Sequence, residues 1–120
     1  MPGIGIDLVE ISRIAKIVER SGKVFLDRVF TQAEQEQGRK RGSAAALYAS
    51  TFAAKEAVFK LFGTEWTDGD SFLDIEILRE ESGAPSVRLH GRFALLAGNR
   101  AVFISLSSDA GMAIAAAMLL

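Results

Sequence analysis

The chain has 120 residues, 49% of them hydrophobic and 24% charged, which suits one globular domain spanning residues 1–120, because two separate cores of half that size could not offset the chain entropy. Its 14 basic and 15 acidic residues leave a formal charge of −1, so no global field draws it to nucleic acid or to an anionic membrane. The absence of cysteine excludes a disulfide framework, a thiolate nucleophile and a sulfur-based zinc site and suits a reducing cytoplasm, while the single histidine, His90, excludes a multi-histidine metal site.

The opening MPGIGIDLVE carries an acid early and lacks a basic start followed by an apolar run, so it does not read as a signal peptide. Gly3 to Val9 reads as a buried strand around Asp7, and the sequence turns helical at Glu10. From Ile11 to Arg20, Ile11, Ile14, Ile17 and Val18 share one helical face, and Arg13, Lys16 and Arg20 share the opposite one. Gly22 ends that helix, Arg28 to Phe30 reads as extended, and Thr31 followed three residues later by Glu34 is a capping box opening a polar surface helix that ends near Gly42.

Ser43 is placed to cap a long helix reaching about Phe62 and stopped by Gly63. After a loop from Thr64 to Ser71, the alternation of Leu73, Ile75 and Ile77 predicts a strand, ESGAP a turn, and Val87 to Leu89 its hairpin partner. Gly91 to Gly98 fits one short helix. Ala101 to Leu106 and Met112 to Leu119 form a second hairpin around SSDAG, and the terminal AIAAAMLL is too short to span a bilayer. The fold class expected is α+β, a mostly antiparallel sheet packed on helices and above all on the long one.

Three residues carry the chemistry. Asp7 in an apolar strand and Glu56 in an apolar helix both need compensation, and two carboxylates brought together from a strand and a helix can share a hard cation such as Mg2+, with waters and a substrate phosphate completing its shell. Lys60 lies one turn after Glu56. On spacing alone Glu56 and Lys60 also read as an ordinary helix salt bridge, Asp7 as a cap on the first helix, and the basic stripe as a solvated face.

The segments GIDLVEISRI, RVFTQAE, FAAKEAVFKLFGT, DIEILREESGAP and SLSSDAGMAIA, in this order and at these separations, resemble the small type of the holo-acyl-carrier-protein synthase family of phosphopantetheinyl transferases across nearly the whole chain. The resemblance implies the phosphopantetheinyl-transferase fold. It implies transfer of the phosphopantetheine arm of coenzyme A to a serine of an acidic acyl carrier protein, with Mg2+ required and adenosine 3′,5′-bisphosphate released. By motif position, Asp7 and Glu56 look like the Mg2+ ligands and Lys60 like the contact to the diphosphate, with Lys55 in support. Gly83 and Pro85 look like the segment beside the adenine. Arg13, Lys16, Arg20 and Arg28 look like the carrier-protein surface, and a homotrimer is implied.

The chain departs from the family pattern at Thr51, where an arginine is usual, and at Ser108, where a histidine is usual, both cofactor-facing positions in the family. Each lost charge-assisted contact is worth on the order of 1.5–3 kcal/mol, so weaker coenzyme A binding is expected. His90 does not match the missing histidine and reads as a surface or strand-end residue. Asp109, Asp7 or a metal-bound water is the better candidate for a general base. An enzyme repurposed for another reaction on a carrier-bound intermediate and a noncatalytic carrier-binding module remain compatible with the sequence.

Overall fold

The computed structural model describes residues 3–40 and 44–120. The expected helix end at Gly42 and the expected cap at Ser43 lie outside the described residues.

Strand β1 (Gly3–Glu10) alternates in the period of a pleated strand, with Gly5, Asp7 and Val9 turned inward. The expectation of a buried strand is corrected on its other face, where Ile4, Ile6 and Leu8 are exposed. Helix α1 (Ile11–Ser21) follows at once, burying Ile14 and leaving Arg13, Lys16 and Arg20 outside. Its first amide, that of Ile11, donates to the Gly111 carbonyl at 2.9 Å and so ties α1 to the last hairpin.

Arg28 and Val29, expected to be extended, instead end a helix, α2 (Lys23–Val29). Gly22, at φ 49°, turns the chain, and Phe25, Leu26 and Val29 then reach the core from one helical face. Only Phe30, at φ −116° and ψ 135°, is extended.

Helix α3 (Gln32–Lys40) opens with the capping box that the sequence predicts: the Thr31 amide donates to Glu34 Oε1 at 2.7 Å, and the Glu34 amide to Thr31 Oγ1 at 3.2 Å. It is not a surface helix, because Glu34, Gln35 and Gly38 are buried and a Cβ on Gly38 would collide with the ring of Tyr48.

Helix α4 (Ala44–Leu61) crosses the inner face of a three-stranded antiparallel sheet of order β1–β5–β4, built with strands β4 (Val102–Asp109) and β5 (Met112–Leu119). The approach is close because both sides offer small residues: Gly3 and Gly5 on β1 lie against the backbone of Leu61 and Ala57, and Ala113, Ala115 and Ala117 on β5 are buried, as are Ala53, Ala54 and Ala57 of the helix. After a 3-10 turn at Phe72–Asp74, strands β2 (Ile75–Arg79) and β3 (Pro85–Leu89) form a separate two-stranded sheet, and helix α5 (Gly91–Ala97) leads to β4. Leu73, expected in the strand, belongs to that turn. The β2–β3 turn has the Gly83 amide donating to Glu80 at 2.8 Å, with Gly83 at φ 91°, a three-residue hairpin loop that needs glycine at its left-handed position.

Candidate functional site

The collision that any side chain on Gly3 or Gly5 would make with the carbonyls of Leu61 and Ala57 shows how directly α4 rests on β1. That seating brings the outward-turning side of α4, Glu56 and Lys60, beside Asp7. Lys60 Nζ donates to Asp7 Oδ1 at 3.0 Å and to the Ile6 carbonyl at 3.2 Å. Its ion pair is therefore with the strand, not with Glu56 one turn earlier. Nor is Asp7 a helix cap: the N-cap of α1 is Glu10, and it makes no side-chain capping bond.

Burial pushes the Glu56 carboxyl above its ordinary range, and the negative charge of Asp7 pushes it further, while Lys60 and Arg13 partly offset both. The four side chains thus form one electrostatic cluster. It borders an open groove of about 500 Å³ lined by Ile6, Asp7, Leu8, Lys60 and Ile114. Among the described residues no group of three or more acids or histidines is placed to hold a metal. A repulsive pair of carboxylates with no third protein ligand fits a hard cation that keeps several waters and borrows phosphate oxygens from its substrate.

The loop after Lys60 is fastened rather than loose. Arg92 grips Asp70 through Nε at 2.9 Å and Nη2 at 2.6 Å, holding that carboxyl far below the ordinary range, and Trp66 packs on Phe59 and Phe72 at 4.9 and 4.8 Å between centroids.

Two expected cofactor contacts are corrected. Lys55 is fully buried, its ammonium ion-paired to Glu34 at 2.8 Å and donating to the Phe72 and Ile75 carbonyls at 2.8 and 2.7 Å, so it has no donor left for a diphosphate. Burial lowers the Lys55 pKa and raises that of Glu34, each opposed by the other's charge. Thr51 is also buried in α4, with 4% of its surface exposed.

Ser108 and Asp109 are exposed at the end of β4, level with Ala113 and Met112 of β5. They stand on the far edge of the sheet from Asp7, two strand spacings or about 10 Å across, so one chain does not bring Asp109 to the carboxylate pair. Gly83 and Pro85 lie at the tip of the β2–β3 hairpin. Arg13, Lys16, Arg20 and Arg28 are exposed on α1 and α2, and His90 is a strand-end residue 3.5 Å from Glu76. Sequence reasoning missed that Arg13 acts on Glu56 as well as belonging to the basic stripe; its place three residues into the helix that follows β1 is the signal that could have shown it.

The sequence model of the 4′-phosphopantetheinyl transferase superfamily matches residues 3–117. The chain is 45% identical to a holo-[acyl-carrier-protein] synthase of Magnetococcus marinus over 98% of this chain and 91% of that one, and 40% identical to one of a Geobacter species over 98% and 96%. Among solved structures it superposes on a Chronobacterium ammoniagenes ACPS–CoA complex with a TM-score of 0.88 at 30% identity, covering 100% and 97% of the two chains. It superposes on the Helicobacter pylori holo-[acyl-carrier-protein] synthase in complex with coenzyme A with a TM-score of 0.82 at 34% identity, covering 98% and 99%.

Proposed function

Since the chain belongs to the 4′-phosphopantetheinyl transferase superfamily, we propose that it transfers phosphopantetheine from coenzyme A to a serine of an apo acyl carrier protein, as a Mg2+-dependent holo-acyl-carrier-protein synthase. The observation that carries this reading is the shared field of Asp7 and Glu56 with Lys60 beside them.

The serine oxygen bonds to the phosphorus that bears the pantetheine arm and gives up its proton to water, the bond from that phosphorus to the bridging oxygen breaks, and adenosine 3′,5′-bisphosphate leaves with the electron pair. A loose phosphoryl transition state asks little of a base, so positioning and charge neutralisation dominate. Asp7 and Glu56 would hold Mg2+, which when bound offsets charge on the diphosphate. Lys60, half exposed on the groove, orients the diphosphate by direct charge-assisted hydrogen bonds. Gly83 and Pro85 flank the adenine from the hairpin tip.

Arg13, Lys16, Arg20 and Arg28 dock an acidic carrier protein, and the direct run of β1 into α1 sets that surface next to the carboxylates. The outer face of the main sheet carries Ile4, Ile6, Leu8, Phe103 and Met118 exposed, an apolar patch that supports a homotrimer. A second copy is also the means of bringing a β4 edge, with Ser108 and Asp109, to an Asp7 edge. No described helix is long and apolar enough to cross a membrane; the cysteine-free composition supports a cytoplasmic setting. Calorimetric titration with coenzyme A tests the site: binding that requires Mg2+ is expected, and equal affinity in a chelator would remove the metal from the account.

A further inference from the structure

A two-stranded ribbon is marginal by itself, so what fixes the β2–β3 hairpin decides where its tip stands. The Glu80 amide donates to the Ala84 carbonyl at 2.8 Å, which makes that pair hydrogen-bonded. By antiparallel alternation Ile75, Ile77 and Arg79 then turn their backbone groups to the outer edge of β2. Helix side chains satisfy that edge in a row. Lys55 donates to the Ile75 carbonyl at 2.7 Å, and Glu34 Oε2 accepts from the Ile77 amide at 2.8 Å. Gln37 Oε1 accepts from the Arg79 amide at 2.8 Å, and its Nε2 donates to the Arg79 carbonyl at 2.9 Å.

The first two contacts are buried in the core. The third holds the free end: Arg79 lies opposite Pro85 in the register, next to the Gly83 turn. A primary amide is the side chain that offers one acceptor and one donor to a strand edge, as a neighbouring strand would. The same α3 that carries Gln37 is locked to α4 through Glu34 and Lys55, and α4 carries Glu56 and Lys60.

We propose that Gln37 is a positioning residue for the nucleotide half of coenzyme A, setting the Gly83–Pro85 tip at a fixed distance from the diphosphate-binding face of α4. The inference rests on the reading that this tip flanks the adenine.

The test compares Gln37→Ala and Gln37→Glu with Pro85→Ala and with Glu36→Ala, a change on the exposed side of α3. In Gln37→Ala the KM for coenzyme A should rise about five- to tenfold, the scale of one to two lost hydrogen bonds, with kcat and the KM for carrier protein unchanged. The inhibition constant of adenosine 3′,5′-bisphosphate should rise with it, and that of phosphopantetheine, which lacks the adenosine, should not. Gln37→Glu, which keeps only the acceptor, should fall between, and Glu36→Ala should match the parent. A change shared by both inhibitors, or absent from both, overturns the role of Gln37. If Pro85→Ala also leaves the bisphosphate constant unchanged, the placement of adenine at the tip falls and takes the inference with it; if it raises that constant and Gln37→Ala does not, the placement stands and the inference alone falls.

Discussion

The carbonyl of Ala57 in α4 occupies the space that a Cβ on Gly5 of β1 would need. Adding that methyl must lift the helix from the strand, and with it Glu56 and Lys60 from Asp7. Gly5→Ala should cost about 1–3 kcal/mol of stability or more, as overpacking does, and should lower transfer even at temperatures where the variant is folded. Chemical denaturation paired with activity checks this, and a variant as stable and active as the parent would refute the close seating.

Glu56→Gln should abolish transfer without unfolding the chain. Because burial and Asp7 raise the folded-state pKa of Glu56 above 4.5, the native chain binds more protons than the unfolded one between 4.5 and the raised value. The group's contribution to stability therefore declines as pH rises through that window. In the absence of metal, the variant should lack this decline and melt no lower than the parent at neutral pH; melting curves across pH measure both.

Lys55→Met leaves Glu34 buried without its cationic partner, and removing one member of such a pair costs about 3–5 kcal/mol. Urea denaturation should show the loss. Coenzyme A affinity, measured where the variant remains folded, should stay near that of the parent, since the Lys55 ammonium lies in the core; a large selective loss of affinity would return Lys55 to the cofactor.

How far the sequence reaches is clearest at Lys55 and Glu56. One helical residue separates them by about 100°, enough to put one in the core and the other on the groove, and no local pattern tells which is which. The strand of Asp7, the long helix with Glu56 and Lys60, and both hairpins follow from periodicity and turn residues. Helix α3 does not: QAEQEQGRK has the composition of a solvated helix, and Glu34 is buried because β2 and Lys55, distant in sequence, satisfy both of its oxygens. The segment containing Phe25, Leu26 and Val29 is too short for its period to distinguish helix from strand before the core it meets is known.

Ser108→His restores a protonatable donor on the exposed end of β4. If the departure is a simple loss, coenzyme A should bind tighter by on the order of 1.5–3 kcal/mol, more strongly below the imidazole pKa than above it. Calorimetry at two pH values decides this; unchanged affinity at both would place Ser108 away from the cofactor.

Lys16→Glu with Arg20→Glu should raise the KM for carrier protein several-fold at low salt, less at high salt, and leave coenzyme A binding unaltered, because rim charges act on encounter with an acidic partner. Salt-independent kinetics in the double variant would mean that the carrier docks elsewhere.

The most direct test of phosphopantetheine transfer is the intact mass of an apo acyl carrier protein incubated with the purified chain, coenzyme A and Mg2+. The account predicts a gain of one phosphopantetheine arm on the carrier serine, absent when Mg2+ is chelated or Asp7 is changed to Asn; an unmodified carrier with the parent chain under all conditions would contradict it.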